Sequence, residues 1–175
     1  RITSWKGQLE FIDVIKKIDT QNIIVLFAGD TKNESYTKLV QDKIEQNNLE
    51  GVCKILGSVD QDEMRSLYQL TDLSVSFPLQ AEGFGRTISE SLYSKTPVLA
   101  FDYGGVKNQL VNLSDMFKVK PQDYQALPAK IEKLLSLSEA QKKEALESVQ
   151  SVIESNFSKI NMVNQYLKLY ESFKA

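Results

Sequence analysis

Short apolar runs alternate with longer amphipathic segments along residues 1–120. Each run predicts a strand, and the first one, which is wholly apolar, is typical of a buried parallel strand, because both faces of such a strand are covered. The runs occupy residues 23–28, 52–56, 72–77, 97–101 and 116–119. Between them, apolar residues recur at helical spacing over 8–18, 35–47, 60–70 and 87–93. Strands separated by helices of about ten residues predict an α/β fold with a doubly wound parallel sheet.

The pattern changes after Pro121, where three helices are predicted with no strand between them. They cover 123–137, 138–153 and 157–173. The last one has an apolar stripe formed by Ile160, Val163, Tyr166, Leu167 and Tyr170. This stripe predicts either packing on the domain's own sheet or docking on another domain, and the sequence leaves both open. We expect one domain over residues 1–175, with extra C-terminal helices.

Composition and charge narrow the class of protein. A chain of 175 residues with 25% charged side chains is typical of one ordered domain. A net charge of -2 without a basic run gives no reason to expect a nucleic-acid partner. The single cysteine, Cys53, lies in a predicted strand, which favours a core position and excludes an internal disulfide framework. The chain contains no histidine, which excludes histidine general bases and histidine metal ligands within it.

The most informative segment is residues 80–90, which follow the third predicted strand. Two glutamates, Glu82 and Glu90, flank a turn with Gly83 and Gly85 that opens onto a predicted helix. A helix start offers free backbone N–H groups and the positive end of the helix dipole, which suit phosphate. Carboxylates on either side of the turn can bind sugar hydroxyls. Since ligands of doubly wound sheets bind at the carboxyl ends of the strands, the segment predicts a sugar-nucleotide site.

Three motifs together resemble the C-terminal, donor-binding domain of retaining GT-B glycosyltransferases, specifically glycosyltransferase family 4. The central motif reads Glu82-Gly83-Phe84-Gly85-Arg86-Thr87-Ile88-Ser89-Glu90. A basic loop over residues 1–7 precedes it, and the apolar strand 97–100 with the double glycine Gly104-Gly105 follows it. The resemblance spans nearly the whole chain. It implies a Rossmann-like fold and transfer of a sugar from a nucleotide-diphosphate sugar to an acceptor, with retention at the anomeric carbon.

The resemblance assigns catalytic roles to three charged residues. Arg1 and Lys6 match two cations that bind the donor diphosphate, where fixed positive partners offset the charge of the leaving group. Glu82 matches a glutamate that contacts hydroxyls of the donor sugar near the reacting carbon. Glu90 matches a second glutamate, which binds the donor by accepting hydrogen bonds from the ribose hydroxyls.

The resemblance also implies donor contacts made by the backbone. The amides that would point at phosphate and sugar belong to Phe84, Gly85, Arg86 and Thr87. Gly83 and Gly85 would allow close backbone approach or a positive φ, whereas the Arg86 side chain is expected to be solvated.

Further donor contacts are implied in two other loops. A backbone contact to the nucleobase is assigned to Val59. Gly104 and Gly105 would form a close turn that either faces the cleft between domains or is purely structural. Many family members have a glutamate a few residues after this double glycine, but this chain has Val106-Lys107-Asn108-Gln109. Gln109 keeps hydrogen-bonding capacity and lacks the charge.

The implied partners extend beyond this chain. The donor would be a UDP- or GDP-linked sugar, and no metal is expected because Arg1 and Lys6 would neutralise the diphosphate. The acceptor, a glycan or lipid-linked molecule, would bind an N-terminal domain that this chain lacks. The chain also lacks the strand and the glycine that the resemblance implies just before Arg1. We therefore expect the chain to be the donor half of a longer enzyme, inactive alone, with a helix over 156–175 crossing back to the other half.

The expected setting is the cytoplasm of a bacterium, in polysaccharide or lipopolysaccharide biosynthesis, with any membrane association made through the other half. The main alternative is a non-catalytic nucleotide-sugar-binding module, which would keep the same donor-binding residues. A nucleotide-sugar epimerase shares the two-domain fold, but that chemistry usually needs more titratable groups. A dehydrogenase-type Rossmann domain is disfavoured because no Gly-x-Gly-x-x-Gly follows the first predicted strand.

Overall fold

The computed structural model describes residues 1–111 and 113–173 and shows a mixed α/β fold. Within these residues the strands are β1 Val25–Ala28, β2 Cys53–Gly57, β3 Ser74–Ser76, β4 Val98–Phe101 and β5 Lys118–Val119. The helices are α1 Gln8–Ile15, α2 Glu34–Gln46, α3 Gln61–Leu70, α4 Arg86–Tyr93, α5 Val106–Leu110, α6 Leu127–Leu135, α7 Glu139–Phe157 and α8 Lys159–Ser172. Short 3-10 turns at Ser4–Lys6 and Asp115–Phe117 precede α1 and β5. The predicted α/β class is confirmed.

The predicted strands and helices are found in the predicted order, with changed boundaries. β3 ends at Ser76, just before Phe77 and Pro78, since a proline nitrogen cannot donate to a neighbouring strand. Helix α5 was not predicted, because five residues are too few to show a helical period. The predicted boundary at residues 153–157 is wrong: α7 is continuous to Phe157, and Ser158 caps the start of α8.

Polar caps explain where two of the helices begin. The Asp60 carboxylate accepts hydrogen bonds from the N–H groups of Asp62 and Glu63, at 2.9 and 2.8 Å. The Glu63 carboxylate accepts one in return from the Asp60 N–H, which completes a capping box at the start of α3. Ser138 and Gln141 form the same arrangement at the start of α7. Both helix starts agree with the helices predicted over 60–70 and 138–153.

The parallel strands are hydrogen-bonded in two groups, β1 with β2 and β3 with β4 with β5. The N-terminal segment contacts the carboxyl ends of both groups: the Ile2 N–H donates to the Asp30 carbonyl, and the Leu79 N–H donates to the Trp5 carbonyl. Beneath it, the Phe11 ring contacts Phe27 of β1 and Phe77 beyond β3, at centroid distances of 6.5 and 5.4 Å. The two strand groups therefore share one core, and the first seven residues link their carboxyl ends.

Burial differs between strands β4 and β1. All four residues of β4 are buried, as an apolar run in a parallel strand predicts. In β1 only Phe27 is buried, whereas Leu26 is 42% exposed, which corrects the prediction of a wholly buried first strand. An apolar run cannot distinguish a strand covered on both faces from one covered on a single face. Within the described ranges no helix has the length and apolar character needed to cross a bilayer.

Candidate functional site

The predicted site lies at the carboxyl end of β3, in the loop that leads into α4. Gly85 occupies the N-cap position of α4 with φ 78°, a left-handed conformation that favours glycine. No side chain caps this helix start. The first N–H groups of α4 are therefore available to an anion, and Arg86 and Thr87, which supply them, are exposed.

Lys6 and Glu82, which are 76 residues apart in sequence, form an ion pair in this loop. The distance between Lys6 Nζ and Glu82 Oε1 is 2.5 Å, and the side chains are 23% and 10% exposed. Lys6 also lies 4.4 Å from the centroid of the Trp5 ring. Gly7 brings the basic loop this close to β3: its φ is 76°, and a Cβ there would lie 2.2 Å from the Phe77 carbonyl oxygen. The structure thus brings together two of the three residues predicted to be catalytic.

Arg1 lies at the carboxyl end of β1, where the Ile2 N–H next to it donates to the Asp30 carbonyl. The guanidinium Nε lies 3.4 Å from Asp30 Oδ2, and the side chain is two-thirds exposed. Arg1 is therefore at the same edge of the fold as Lys6 and is paired with Asp30.

Glu90, in the second turn of α4, is held by two side chains. Its Oε1 lies 2.8 Å from Arg86 Nη2, and its Oε2 accepts a hydrogen bond from the Tyr68 hydroxyl at 3.3 Å. The Arg86 side chain is 74% exposed, as predicted, but it is ion-paired with Glu90. Burial, with the adjacent Glu90 charge, raises the pKa of Tyr68, so this hydroxyl stays protonated and donates. The role of Tyr68 was missed because its contact to Glu90 joins two different helices.

The double glycine packs against the backbone of the site loop. The Gly105 N–H donates to the Glu82 carbonyl at 2.8 Å. A Cβ on Gly105 would lie 1.9 Å from the Gly83 carbonyl oxygen, and one on Gly104 would lie 2.7 Å from that of Glu82. The structure therefore shows a structural role for this turn, and its contact to the donor stays a prediction. The turn allows two loops to approach more closely than any side chain permits.

The two glycines of the central motif have different environments. A Cβ on Gly85 would lie 2.5 Å from Val106 Cγ2, and the residue has positive φ, so both predicted reasons for a glycine apply. At Gly83 neither applies within the described chain, since a Cβ there would meet no atom within 4 Å. Gly83 faces open space, and its prediction as a donor contact stays a prediction.

Three other residues of the sequence analysis have defined positions. Val59 lies partly buried in the β2–α3 loop, directly before Asp60, and its contact to a base stays a prediction. The Phe84 ring packs against Phe157 at the end of α7, with centroids 5.5 Å apart. Gln109 is 1% exposed, and its side-chain hydrogen bonds go to Ser89, Phe84 and Gly85. Gln109 therefore holds the loop before α4 through hydrogen bonds to its backbone.

The site is an open edge of the fold. Two cavities of about 500 and 420 Å³ lie elsewhere, one beside α2 and one between the ends of α3 and α4 and the start of α7. Neither is lined by a predicted site residue. In the part of the chain that the structure describes, no three or more aspartate, glutamate, cysteine or histidine side chains are grouped as metal ligands would be.

Solved structures of other proteins have the same fold. A glycosyltransferase from Rickettsia africae is 29% identical, superposes with a TM-score of 0.88 and matches 98% of this chain and 45% of its own. HepE of Anabaena, solved in complex with UDP-glucose, is 25% identical with a TM-score of 0.85, covering 98% of this chain and 47% of that protein. The fold is therefore that of the C-terminal domain of GT-B glycosyltransferases.

Sequence comparisons identify the family. A trehalose synthase from Thermococcus litoralis is 28% identical over 182 residues, which are 99% of this chain and 43% of that enzyme. The chain thus spans less than half the length of the relatives it matches. The family model for glycosyl transferases group 1 matches residues 1–148 and so includes every predicted site residue. The chain belongs to the glycosyl transferases group 1 family.

Proposed function

We propose that this chain is the donor-binding domain of a retaining, family 4 glycosyltransferase that uses a nucleotide-diphosphate sugar. The observation that supports this most directly is the Lys6–Glu82 ion pair beside the uncapped start of α4. It places a cation, a carboxylate and free backbone N–H groups at one edge of the fold. A diphosphate needs the cation and the N–H groups, and a sugar hydroxyl needs the carboxylate.

Each charged residue has a distinct role in the proposed reaction. The bond between the anomeric carbon and the diphosphate oxygen breaks, and the acceptor oxygen bonds to the same face of that carbon while its proton passes to the departing diphosphate. Negative charge develops on the departing diphosphate, where Lys6 and Arg1 stabilise it together with the N–H groups of α4. Glu82 binds the sugar hydroxyls and Glu90 binds the ribose. Lys6 has three donors, so it can hold phosphate while still paired with Glu82.

A binding screen tests the proposal. We expect isothermal calorimetry with UDP, GDP, ADP and their sugar conjugates to show selective binding of one nucleotide, with UDP or GDP preferred. HepE, whose structure contains UDP-glucose, makes the uridine series the first to measure. Absence of binding to every nucleotide would reject the proposal. Tight binding without sugar transfer by the full-length protein would instead identify a non-catalytic binding module.

Glu90→Ala should weaken binding of the selected nucleotide by about tenfold, because a charged hydrogen-bond acceptor to the ribose is lost. The matched control is Glu144→Ala, which removes an exposed carboxylate from α7 and should leave the affinity unchanged. Calorimetry on the three proteins measures both effects. Equal affinity in the wild type and the Glu90 variant would remove Glu90 from the site.

Sugar transfer by the full-length enzyme should be insensitive to EDTA, because Lys6 and Arg1 supply the positive charge that a metal ion would otherwise provide. The initial rate of transfer, measured before and after chelation, tests this. Strong inhibition that magnesium reverses would contradict it.

The rest of the enzyme is also part of the proposal. We propose an N-terminal domain that binds a glycan or lipid-linked acceptor, with α8 crossing back onto it, so that this chain alone binds donor and transfers nothing. The support is that the chain spans 43% of the trehalose synthase and that the apolar residues of α8 are exposed. This arrangement fits a cytoplasmic bacterial enzyme of polysaccharide or lipopolysaccharide synthesis. Any contact with the membrane would be made by the N-terminal domain.

A further inference from the structure

Gln109 is an unusual polar residue in this core. It lies in α5, is 1% exposed, and uses both ends of its side-chain amide. Its Oε1 accepts a hydrogen bond from the Ser89 hydroxyl of α4 at 2.5 Å. Its Nε2 donates to the carbonyl of Phe84 and, at 3.4 Å, to that of Gly85. Gln109 therefore joins the site loop and the first turns of α4 to α5.

These hydrogen bonds set the direction of the neighbouring N–H groups. In a trans peptide the carbonyl of one residue and the N–H of the next point in opposite directions, and the described chain has no cis peptide. Because the carbonyls of Phe84 and Gly85 point towards Gln109, the N–H groups of Gly85 and Arg86 point away from it. The Gly105 N–H binds the Glu82 carbonyl in the same way and turns the Gly83 N–H outward.

The chemistry requires a side chain at position 109 that donates at one end and accepts at the other. The Phe84 and Gly85 carbonyls only accept hydrogen bonds, so the group facing them must donate, while the Ser89 hydroxyl can donate to the other end. A carboxylate would set a negative oxygen, in place of the Nε2 donor, against both carbonyl oxygens in a buried site. A protonated carboxyl group could still donate to one carbonyl and accept from Ser89.

We propose that Gln109 is a positioning residue, whose amide turns the N–H groups of Gly85 and Arg86 towards the diphosphate of the donor. The inference rests on the proposed function, since it specifies how that site recognises its diphosphate. Gln109 itself does not contact the donor. It acts through the backbone of the loop, and the glycine turn before α5 supports the same loop two residues earlier.

The test uses the full-length protein and UDP, or GDP where the screen selects it. Gln109→Glu should bind the nucleoside diphosphate about tenfold more weakly than the wild type at pH 8. Burial against two carbonyls raises the pKa of the new carboxyl above its ordinary value, so it gains its proton as the pH falls towards 5. The affinity ratio of variant to wild type should then recover by several-fold, because the protonated group donates again.

The charged groups near position 109 are the same in the variant and in the wild type. Arg86 and Glu90 of α4 pair with each other. Glu82 of the site loop pairs with Lys6. The remaining charged group near position 109 that the argument needs is Lys107 of α5. Strand β4, packed on the other side, contains no titratable residue. This chain has no histidine. The ratio to wild type cancels the titration of the nucleotide phosphates.

Gln109→Met is the second variant, because its apolar side chain has nearly the same length and cannot titrate. It should bind the nucleotide more weakly at every pH, with no recovery on acidification, while thermal unfolding stays cooperative. Wild-type affinity in both variants, or an equal loss in both at all pH values, overturns the positioning role and leaves the proposed function standing. Failure of the wild type itself to bind any nucleotide rejects both.

Discussion

At the scale of single residues, the pair of Lys6 and Glu82 shows the balance between stability and function. Both side chains are mostly withdrawn from water, so each charge has lost much of its hydration. Their mutual attraction offsets that loss only while both partners are present. Such a pair adds little net stability compared with a pair of apolar residues at the same positions. It does hold two opposite charges at the candidate site.

A double-mutant cycle should measure this dependence. Lys6→Met and Glu82→Gln should each destabilise the domain, and the double variant should be more stable than the sum of the two effects predicts. We expect a coupling energy of about 1–3 kcal/mol from urea unfolding, because each single change leaves a partly buried charge without its partner.

The matched control for this cycle is Lys38 with Asp42, an exposed pair one turn apart on α2. Lys38→Met and Asp42→Asn should show a much smaller coupling, since water and salt screen an exposed pair. Equal coupling in the two cycles would contradict the view that burial makes Lys6 and Glu82 depend on each other.

At the scale of elements, two loops at neighbouring strand ends support each other. The loop before α4 holds the glutamate and the free N–H groups, and the glycine turn before α5 packs beneath it. The first loop was predicted as the site from its own residues. The role of the second could not be predicted, because it depends on a distance between backbones 22 residues apart in sequence, as at Gly83 and Gly105.

Gly105→Ala should displace the site loop, because the new Cβ would lie 1.9 Å from the Gly83 carbonyl oxygen. We expect loss of nucleotide binding by more than tenfold and a lower melting temperature, measured by calorimetry and thermal unfolding. Gly51→Ala is the control, since its Cβ would meet no atom within 4 Å and the residue has no positive φ. A Gly105 variant that behaves like the Gly51 variant would show that the loop tolerates the shift.

At the scale of the whole molecule, α8 contributes least to the core. None of its residues is buried, and its large apolar residues are exposed: Ile160, Met162, Val163, Tyr166, Leu167, Leu169 and Tyr170. Helix α7 differs, since Leu146, Val149 and Ile153 are buried against the rest of the domain. The sequence left two interpretations of the apolar stripe open. The structure does not show the first of them, in which the stripe packs on the domain's own sheet.

Ending the chain after Ser158 should change the melting temperature by less than about 3 °C, because none of the removed residues that the structure describes is buried. It should also reduce self-association, seen by light scattering, since a large apolar surface is lost. Ile153→Ala in α7 is the control and should cost about 2–5 kcal/mol in unfolding free energy. Loss of cooperative unfolding on removal of α8 would show that this helix belongs to the core.

The sequence by itself determined the order of strands and helices, the caps of α3 and α7, the burial of Cys53 and the position of the glutamate loop. These follow from local periodicity, from hydrogen bonds a few residues apart and from motifs within one loop. Only the tertiary structure decided which charges meet. The pairs Lys6 with Glu82, Tyr68 with Glu90, and Gln109 with Phe84 join residues 76, 22 and 25 positions apart. It also decided that one face of β1 is exposed, because the covering of a strand depends on neighbours that its own residues do not specify.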